Sequence, residues 1–383
     1  MSSLPTPNAQ AQTQSQQLAV LIQQQIQQNH GWLSFADFMQ SALYSPGLGY
    51  YSGGAKKFGL GGDFVTAPEI SSLFGRSLAN QVAQVLSVTG GALLELGAGT
   101  GKLAVDLLLA LQSMNQLPER YYILEVSAYL RQIQAETMQN SLPSSLLEQV
   151  IWLDSLPAEF TGVIVANEVL DAVPVNLIHK TLAAIYERGV AYDEGFVWQD
   201  KLLSSGELYE AALALNLPDE YLTELCPAAT ALVASLSKTL KCGALLLIDY
   251  GFSAREYYHP QRNLGTLMCH FQHHAHTNPF IYVGLQDITA HVDFTAVAHR
   301  GVNAGLVFAG FTTQAQFLMN CGILQLLEQV SADDTVHYAP LAATAQKLLS
   351  PAEMGDLFKV IAFTKAIDLP LLGFAQGDKS HTL

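Results

Sequence analysis

Residues able to do chemistry stand at regular places in this chain. Gly97, Gly99 and Gly101 alternate directly after the short run 92–96, which is apolar apart from Glu95. An apolar helical pattern follows over 103–111. Strand, glycine turn and helix in this order let backbone approach a nucleotide and aim a helix N-terminus at it. Carboxylates then recur where later apolar runs end. Glu125 lies near the end of 121–126, Asp154 and Ser155 follow 150–153, and Asn167, Glu168 and Asp171 follow 163–166. One such carboxylate is ordinarily a solvated loop residue or a helix cap. Carboxylates at the ends of four successive strands point instead to a shared site.

The glycine spacing separates three nucleotide-binding chemistries. A dinucleotide fingerprint, G-x-G-x-x-G, needs glycine at 102, where the chain has Lys102. A phosphate-cradling loop, G-x-x-x-x-G-K-[ST], needs glycine at 96 and a hydroxyl at 103; the chain has Leu96 and Leu103. The acidic-x-G-x-G-x-G pattern that remains is that of S-adenosyl-L-methionine (SAM) methyltransferases, where the turn passes the methionine part and the ribose. Glu125 is then placed to accept hydrogen bonds from both ribose hydroxyls. Asp154 and Ser155 meet the adenine edge, and Asn167, Glu168 and Asp171 stand beside the point where donor faces acceptor. The [ND]-P-P-[YF] motif common in methylation of base amino groups occurs nowhere in the chain. Paired carboxylates suit a cation: they can grip a guanidinium bidentately and leave one nitrogen a lone pair for attack on the methyl.

These residues need a sheet to position them. From Ala92 onward strand and helix patterns alternate, which argues a parallel sheet covered on both faces. Strands are expected at 92–96, 121–126, 150–153, 163–166, 244–248 and 358–364, with a helix over 128–138. The fold class is α/β: a doubly wound, Rossmann-like methyltransferase sheet with an N-terminal helical cap and two large insertions. Residues 1–28 are read as a disordered Pro/Ser/Gln tail passing, from about Gln14, into an amphipathic helix on Leu18, Leu21, Ile22 and Ile26. Residues 29–90 form the cap, with a short helix over 31–38 capped by Ser34, a glycine-rich loop over 44–66 and a helix from Pro68 to Leu86. The SAM-binding core takes 91–171, 241–251 and 355–366. That leaves 172–240 as one insertion, with a β-like stretch and a helical one, and 252–354 as a second that caps the substrate.

Composition narrows the partners. Half the residues are hydrophobic and only 13% charged, so the chain is globular rather than disordered. A net charge of −15, with 18 basic residues in no cluster, opposes nucleic acid as the main partner. Cys226, Cys242, Cys269 and Cys321 form no CxxC pair, so neither a disulfide framework nor a structural zinc is expected. No apolar run reaches the length of a membrane span. No lysine or arginine precedes Lys56, which fits neither a secretory signal nor an arginine-rich presequence, and a cytoplasmic setting is expected.

From about residue 31 to 322, and again near 354–363, the chain resembles the MidA-like proteins, a family that includes a mitochondrial complex I assembly factor. The carriers are Tyr44-Ser-Pro-Gly-Leu-Gly-Tyr-Tyr51, Gly62-Asp-Phe-Val-Thr-Ala-Pro-Glu69, Phe74-Gly-Arg76 and Glu95-Leu-Gly-Ala-Gly-Thr-Gly101. Glu125-Val-Ser127, Leu130-Arg131, Ala166-Asn-Glu-Val-Leu-Asp-Ala172, Asp249-Tyr-Gly251, Gly265-Thr-Leu267 and Asp287-Ile-Thr-Ala-His-Val-Asp-Phe294 continue it in one order. The resemblance implies a class I SAM-dependent protein arginine methyltransferase, whose partner is a protein with an exposed arginine; the mitochondrial member's target is a respiratory complex I subunit. By matching motif, Glu95, Gly97, Ala98, Gly99 and Gly101 would bind SAM, with Glu125 on its ribose and Val126 and Asn167 also on the donor. Glu168 and Asp171 face the acceptor, and Asp63 and Thr66 come from the capping loop.

The chain departs from the family over Met268-Cys-His-Phe-Gln-His-His-Ala-His276, a segment that often carries arginines and here has none. Its His270, His273, His274 and His276 read as loop or substrate-surface residues rather than metal ligands, since no second ligand cluster accompanies them. His291 is read either as a hydrogen-bond partner to a carboxylate or as a buried structural residue. Two other functions stay open from sequence: methylation of a small molecule, and a SAM-binding assembly chaperone without catalysis.

Overall fold

The computed structural model describes residues 4–53 and 66–383. The chain forms two compact units. One comprises Val65–Leu170, Leu232–Ser253 and Val292–Leu383 and carries the main sheet; the other comprises Met1–Phe64, Asp171–Ala231 and Ala254–His291.

The main sheet contains β1 (Ala92–Leu96), β2 (Tyr121–Leu124), β3 (Val150–Leu153), β4 (Phe160–Asn167), β5 (Leu240–Phe252), β6 (Val307–Thr313) and β7 (Phe358–Lys365). Their spatial order is β3-β2-β1-β4-β5-β7-β6. The first five run parallel, and β7 lies antiparallel between β5 and β6. The molecule is therefore a mixed α/β protein built on a parallel-strand sheet. Strands of this kind are buried on both faces and read as continuous apolar runs rather than alternating ones. In β4 and β5, Val163, Val165, Leu246 and Ile248 join one core, while Ile164, Leu245 and Leu247 on the other face are also buried.

The first core is closed by α1 (Ser72–Thr89) and α2 (Lys102–Ser113), with α3 (Ala128–Ser141) following β2. Leu78, Val82 and Val85 of α1 and Leu103, Leu107 and Leu111 of α2 supply it at helical spacing. The helix expected from Pro68 to Leu86 is broken at Ser71, whose backbone is extended (φ −160°) and whose Oγ accepts from Leu73 N at 3.3 Å, capping α1. Ala67–Ile70 is a separate short helix. β6 lies inside 252–354, the span expected as an insertion, and so part of that span instead completes the main sheet.

The second unit has an antiparallel sheet of Tyr221–Leu225, Asn176–Lys180 and Ile185–Tyr192, the last flanked by Leu33–Ser34 and Phe196–Leu202. A smaller sheet sets Met268–Phe271 between His274–His276 and Asp287–Thr289. Of the four histidines read as loop or substrate-surface residues, His270, His274 and His276 lie in strands. The N-terminal helix runs Ala9–Gln28, beginning earlier than expected because Asn8 Oδ1 caps it at Ala11 N, 2.9 Å, and Gln14 Nε2 donates to Leu48 O at 2.9 Å. Part of the tail read as disordered is therefore helical. Ser34 caps the next helix as expected, accepting from Asp37 N at 3.0 Å, but that helix spans Phe35–Tyr44. Among the described residues no helix is long and apolar enough to cross a membrane.

Candidate active site

The glycine turn leaves β1 with Gly97, Gly99 and Gly101 at φ of 61°, 53° and 85°, all left-handed. Gly97 N donates to Leu124 O of β2 at 3.0 Å, and Gly101 N to Ala98 O at 2.7 Å. Two glycines differ in what surrounds them. A Cβ on Gly101 would stand 3.2 Å from both Gln134 Cα and Met138 Cε, so α3 is pressed against the turn. A Cβ on Gly99 would meet no atom of the described residues within 4 Å. Gly101, the N-cap of α2, has no side chain to cap the helix's first N–H groups, the groups that bind anions at helix starts. Thr100 Oγ1 donates to the Glu69 carboxylate and holds the turn's tip.

Beneath the turn, Glu95 is 2% exposed and accepts from Tyr121 OH at 2.6 Å. Burial, with a smaller push from Glu125, raises its carboxyl to about 7, although the Tyr121 bond lowers it. Glu125 follows β2 and is also buried, which raises its carboxyl above the ordinary value although hydrogen bonds from Ser127 N, Gln134 and Val126 N lower it. Ser127 N reaches its Oε1 at 2.9 Å and Gln134 Nε2 its Oε2 at 3.0 Å. Next to it Val126 is 78% exposed, an apolar side chain left in the open beside a buried carboxylate. Arg131 fastens the neighbouring strand ends: Nε to Glu125 O at 2.8 Å, Nη2 to Leu153 O at 2.6 Å and Nη1 to Asp154 Oδ1 at 2.8 Å. Asp154 and Ser155 are exposed.

After β4, Glu168 is a non-glycine residue at φ 53°. Left-handed backbone costs such a residue roughly 1–2 kcal/mol and is retained mainly where the surroundings impose it, often at functional sites. The imposing contacts are visible. Glu168 N donates to Ile248 O at 2.9 Å, and its Oε1 accepts from Asn167 Nδ2 at 3.1 Å and Ala67 N at 3.4 Å. Asp249 Oδ2, at the end of β5, accepts from Val169 N and Leu170 N at 3.2 and 2.9 Å. Val169 in turn borders the glycine turn, its Cγ2 lying 3.1 Å from a Cβ on Gly97. Asn167 Oδ1 is buried with no hydrogen-bond partner among the described residues.

The structure thus gathers Glu95, the glycines, Glu125, Val126, Asp154, Asn167 and Glu168 at the ends of β1 to β4. Thr66 caps Ala67–Ile70 through its carbonyl, which accepts from Glu69 N at 3.0 Å. Asp171 belongs to the other unit, where it is buried and its carbonyl accepts from Ala290 N at 3.0 Å. Asp63 lies outside the described residues. In the same unit as Asp171, His291 N donates to Thr266 Oγ1 at 3.0 Å. Among the described residues no group of three or more His, Cys, Asp or Glu side chains could hold a metal. Sequence reasoning assigned no role to Tyr121, Gln134, Arg131 or Asp249. Arg131 and Asp249 stand in family motifs; Tyr121 and Gln134 carry no local signal.

A left-handed glycine turn, a helix start capped by no N-cap side chain, an exposed apolar side chain and two buried carboxylates fit an adenosine joined to a cationic amino acid. A family model for S-adenosyl-L-methionine-dependent methyltransferases matches residues 74–312. A crystal structure from Burkholderia thailandensis, bound to S-adenosyl-homocysteine, is 47% identical over the whole of both chains, with a TM-score of 0.96. The native structure from the same organism gives 0.94. The zebrafish protein arginine methyltransferase NDUFAF7, mitochondrial, is 27% identical over 90% of this chain and 89% of its own. The Caenorhabditis elegans homolog is 29% identical over 79% and 76%. These mitochondrial relatives overturn the cytoplasmic expectation, which rested on a missing leader pattern that carries no information about compartment. With donor, fold and strand-end geometry in agreement, the chain belongs to the family of SAM-dependent methyltransferases, enzymes whose methyl donor is SAM.

Proposed function

We propose that this enzyme methylates an arginine side chain of a partner protein. The observation that carries the reading is Glu168, a carboxylate held in left-handed backbone at the end of β4, one residue before the Val169 side chain that borders the glycine turn. The names of the animal relatives, protein arginine methyltransferases, support the same acceptor. Bound SAM supplies an electrophilic methyl group on a sulfonium sulfur. We assign Gly97, Ala98, Gly99, Gly101, Glu95, Val126, Asn167 and Thr66 to the donor, Glu125 to its ribose, and Asp154 and Ser155 to its adenine.

Glu168 and Asp171, with Asp63, are assigned to the acceptor. A carboxylate accepting two guanidinium N–H groups concentrates positive charge on the nitrogens it holds and leaves the third with an available lone pair. The proton that leaves the methylated nitrogen goes to Glu168. The target is a protein with an exposed arginine, a respiratory complex I subunit being the one the family resemblance names, and the net charge of −15 opposes nucleic acid. We read the architecture as a doubly wound, Rossmann-like core interrupted after β4 and after β5, the second interruption ending before Val292.

Labelling tests this directly. With methyl-labelled SAM and a cell lysate, label should enter one protein band and hydrolyse to methyl-arginine, and Glu168→Gln should remove it while S-adenosyl-homocysteine still binds. Label confined to the low-mass fraction would replace this reading by methylation of a small molecule.

A further inference from the structure

Gln134 is fully buried in α3, and every polar atom of its side chain is engaged. Its Nε2 donates to Gly99 O at 3.1 Å and to Glu125 Oε2 at 3.0 Å. Its Oε1 accepts from Trp152 Nε1 of β3 at 2.9 Å. An amide has two donors on nitrogen, and both are spent on the donor site: one on the Gly99 carbonyl of the turn, one on the carboxylate after β2. The indole N–H, which can only donate, fixes which end of the amide is oxygen. Gln134 reaches this place because Gly101 has no side chain; a Cβ there would press on Gln134 Cα at 3.2 Å.

We propose that Gln134 is the positioning residue of the donor site, locking the Gly99 turn and the Glu125 carboxylate into one rigid unit whose sense is set by Trp152. Gln134 itself touches no reacting atom. It acts by holding the Gly99 carbonyl and the Glu125 carboxylate in place before the donor arrives, so that binding costs less ordering. The inference rests on the donor site alone and is independent of which acceptor is methylated.

The test is isothermal calorimetry with S-adenosyl-homocysteine, together with donor KM and kcat, on purified full-length protein. Gln134→Met keeps length and burial but removes all three hydrogen bonds. It should weaken S-adenosyl-homocysteine by roughly tenfold, with the loss concentrated in Kd and donor KM rather than in kcat. Gln134→Glu places a carboxyl group against Glu125. It should bind poorly at pH 8 and regain affinity toward pH 5.5, where the introduced group is protonated and again donates to Glu125. Trp152→Phe should cost a smaller factor, about threefold. A merely structural glutamine would lower the melting temperature and the fraction of competent sites but leave Kd and its pH profile unchanged. Kd within twofold of wild type in Gln134→Met, or no acid rescue in Gln134→Glu, overturns the proposal. So does failure of both variants to fold, because Gln134 would then serve the fold alone.

Discussion

Glu95→Gln removes a carboxyl group from the middle of the sheet, and the size and sign of the effect follow from its surroundings. Glu95 is 2% exposed between strands, and burial is the largest influence on its carboxyl, raising it from an ordinary 4.5 to about 7. The unfolded chain ionises this group first, so the folded state holds the proton more tightly. Its contribution to stability is therefore complete below the unfolded value and is lost as pH rises through about 7. A gap of about 2.5 in pKa corresponds to about 3 kcal/mol of stability lost between pH 4.5 and 8.5. An amide cannot ionise, yet its oxygen can still accept from Tyr121 OH. The variant should match wild type within about 1 kcal/mol near pH 5 and exceed it by up to about 3 kcal/mol at pH 8.5. Denaturant melts of the apo protein at pH 5, 7 and 8.5 read this out. The same ionisation favours a cationic ligand, so SAM affinity should rise with pH through 7 in wild type and stay flat in Glu95→Gln. Parallel stability profiles for the two proteins would refute the reasoning, since the titrating group would then lie elsewhere.

Other perturbations have equally definite outcomes. Glu168→Gly relieves the left-handed backbone, so thermal melts should show stability unchanged or raised by about 1 kcal/mol, while methyl transfer falls at least a hundredfold, an order of magnitude typical for loss of an acid–base group. Asp249→Ala leaves Val169 N and Leu170 N without the acceptor they now share; equilibrium unfolding should show a loss of about 2–4 kcal/mol and transfer should fall with it. Gly101→Ala adds a clash with Gln134 and Met138 to the backbone strain, so its melting point should drop further than that of Gly99→Ala, whose Cβ meets no atom of the described residues within 4 Å.

The strand and glycine turn of the proposed donor site could be read in the sequence because their signals are local. Ala92–Leu96 and the three glycines lie within ten residues, and the structure returns the same strand bounds. Gln134 was not legible. A glutamine in a helix ordinarily faces water, and this one is buried only because Gly101 admits α3 to the turn. Asp249 was visible as a strand end, but its partners, Val169 and Leu170, lie about 80 residues away and no pattern links them. β6 escaped notice because Val307–Thr313 contains Gly310 and has an exposed start; its pairing with β7 defines it, and tertiary pairing decides marginal strands. Ser71 broke a helix whose apolar period runs on both sides of it, because a serine that caps α1 must leave helical geometry to do so.

The most direct measurement of the central claim is SAM affinity and methyl transfer in Gly99→Val. The backbone at Gly99 is left-handed and a Cβ there meets no atom of the described residues within 4 Å, so the variant should fold at a cost of roughly 1–2 kcal/mol. Its side chain would then occupy the space assigned to the donor. A folded protein in which SAM binding falls at least tenfold and label transfer to arginine disappears is the predicted result. A folded Gly99→Val protein that binds SAM and transfers methyl groups as wild type does would contradict the account.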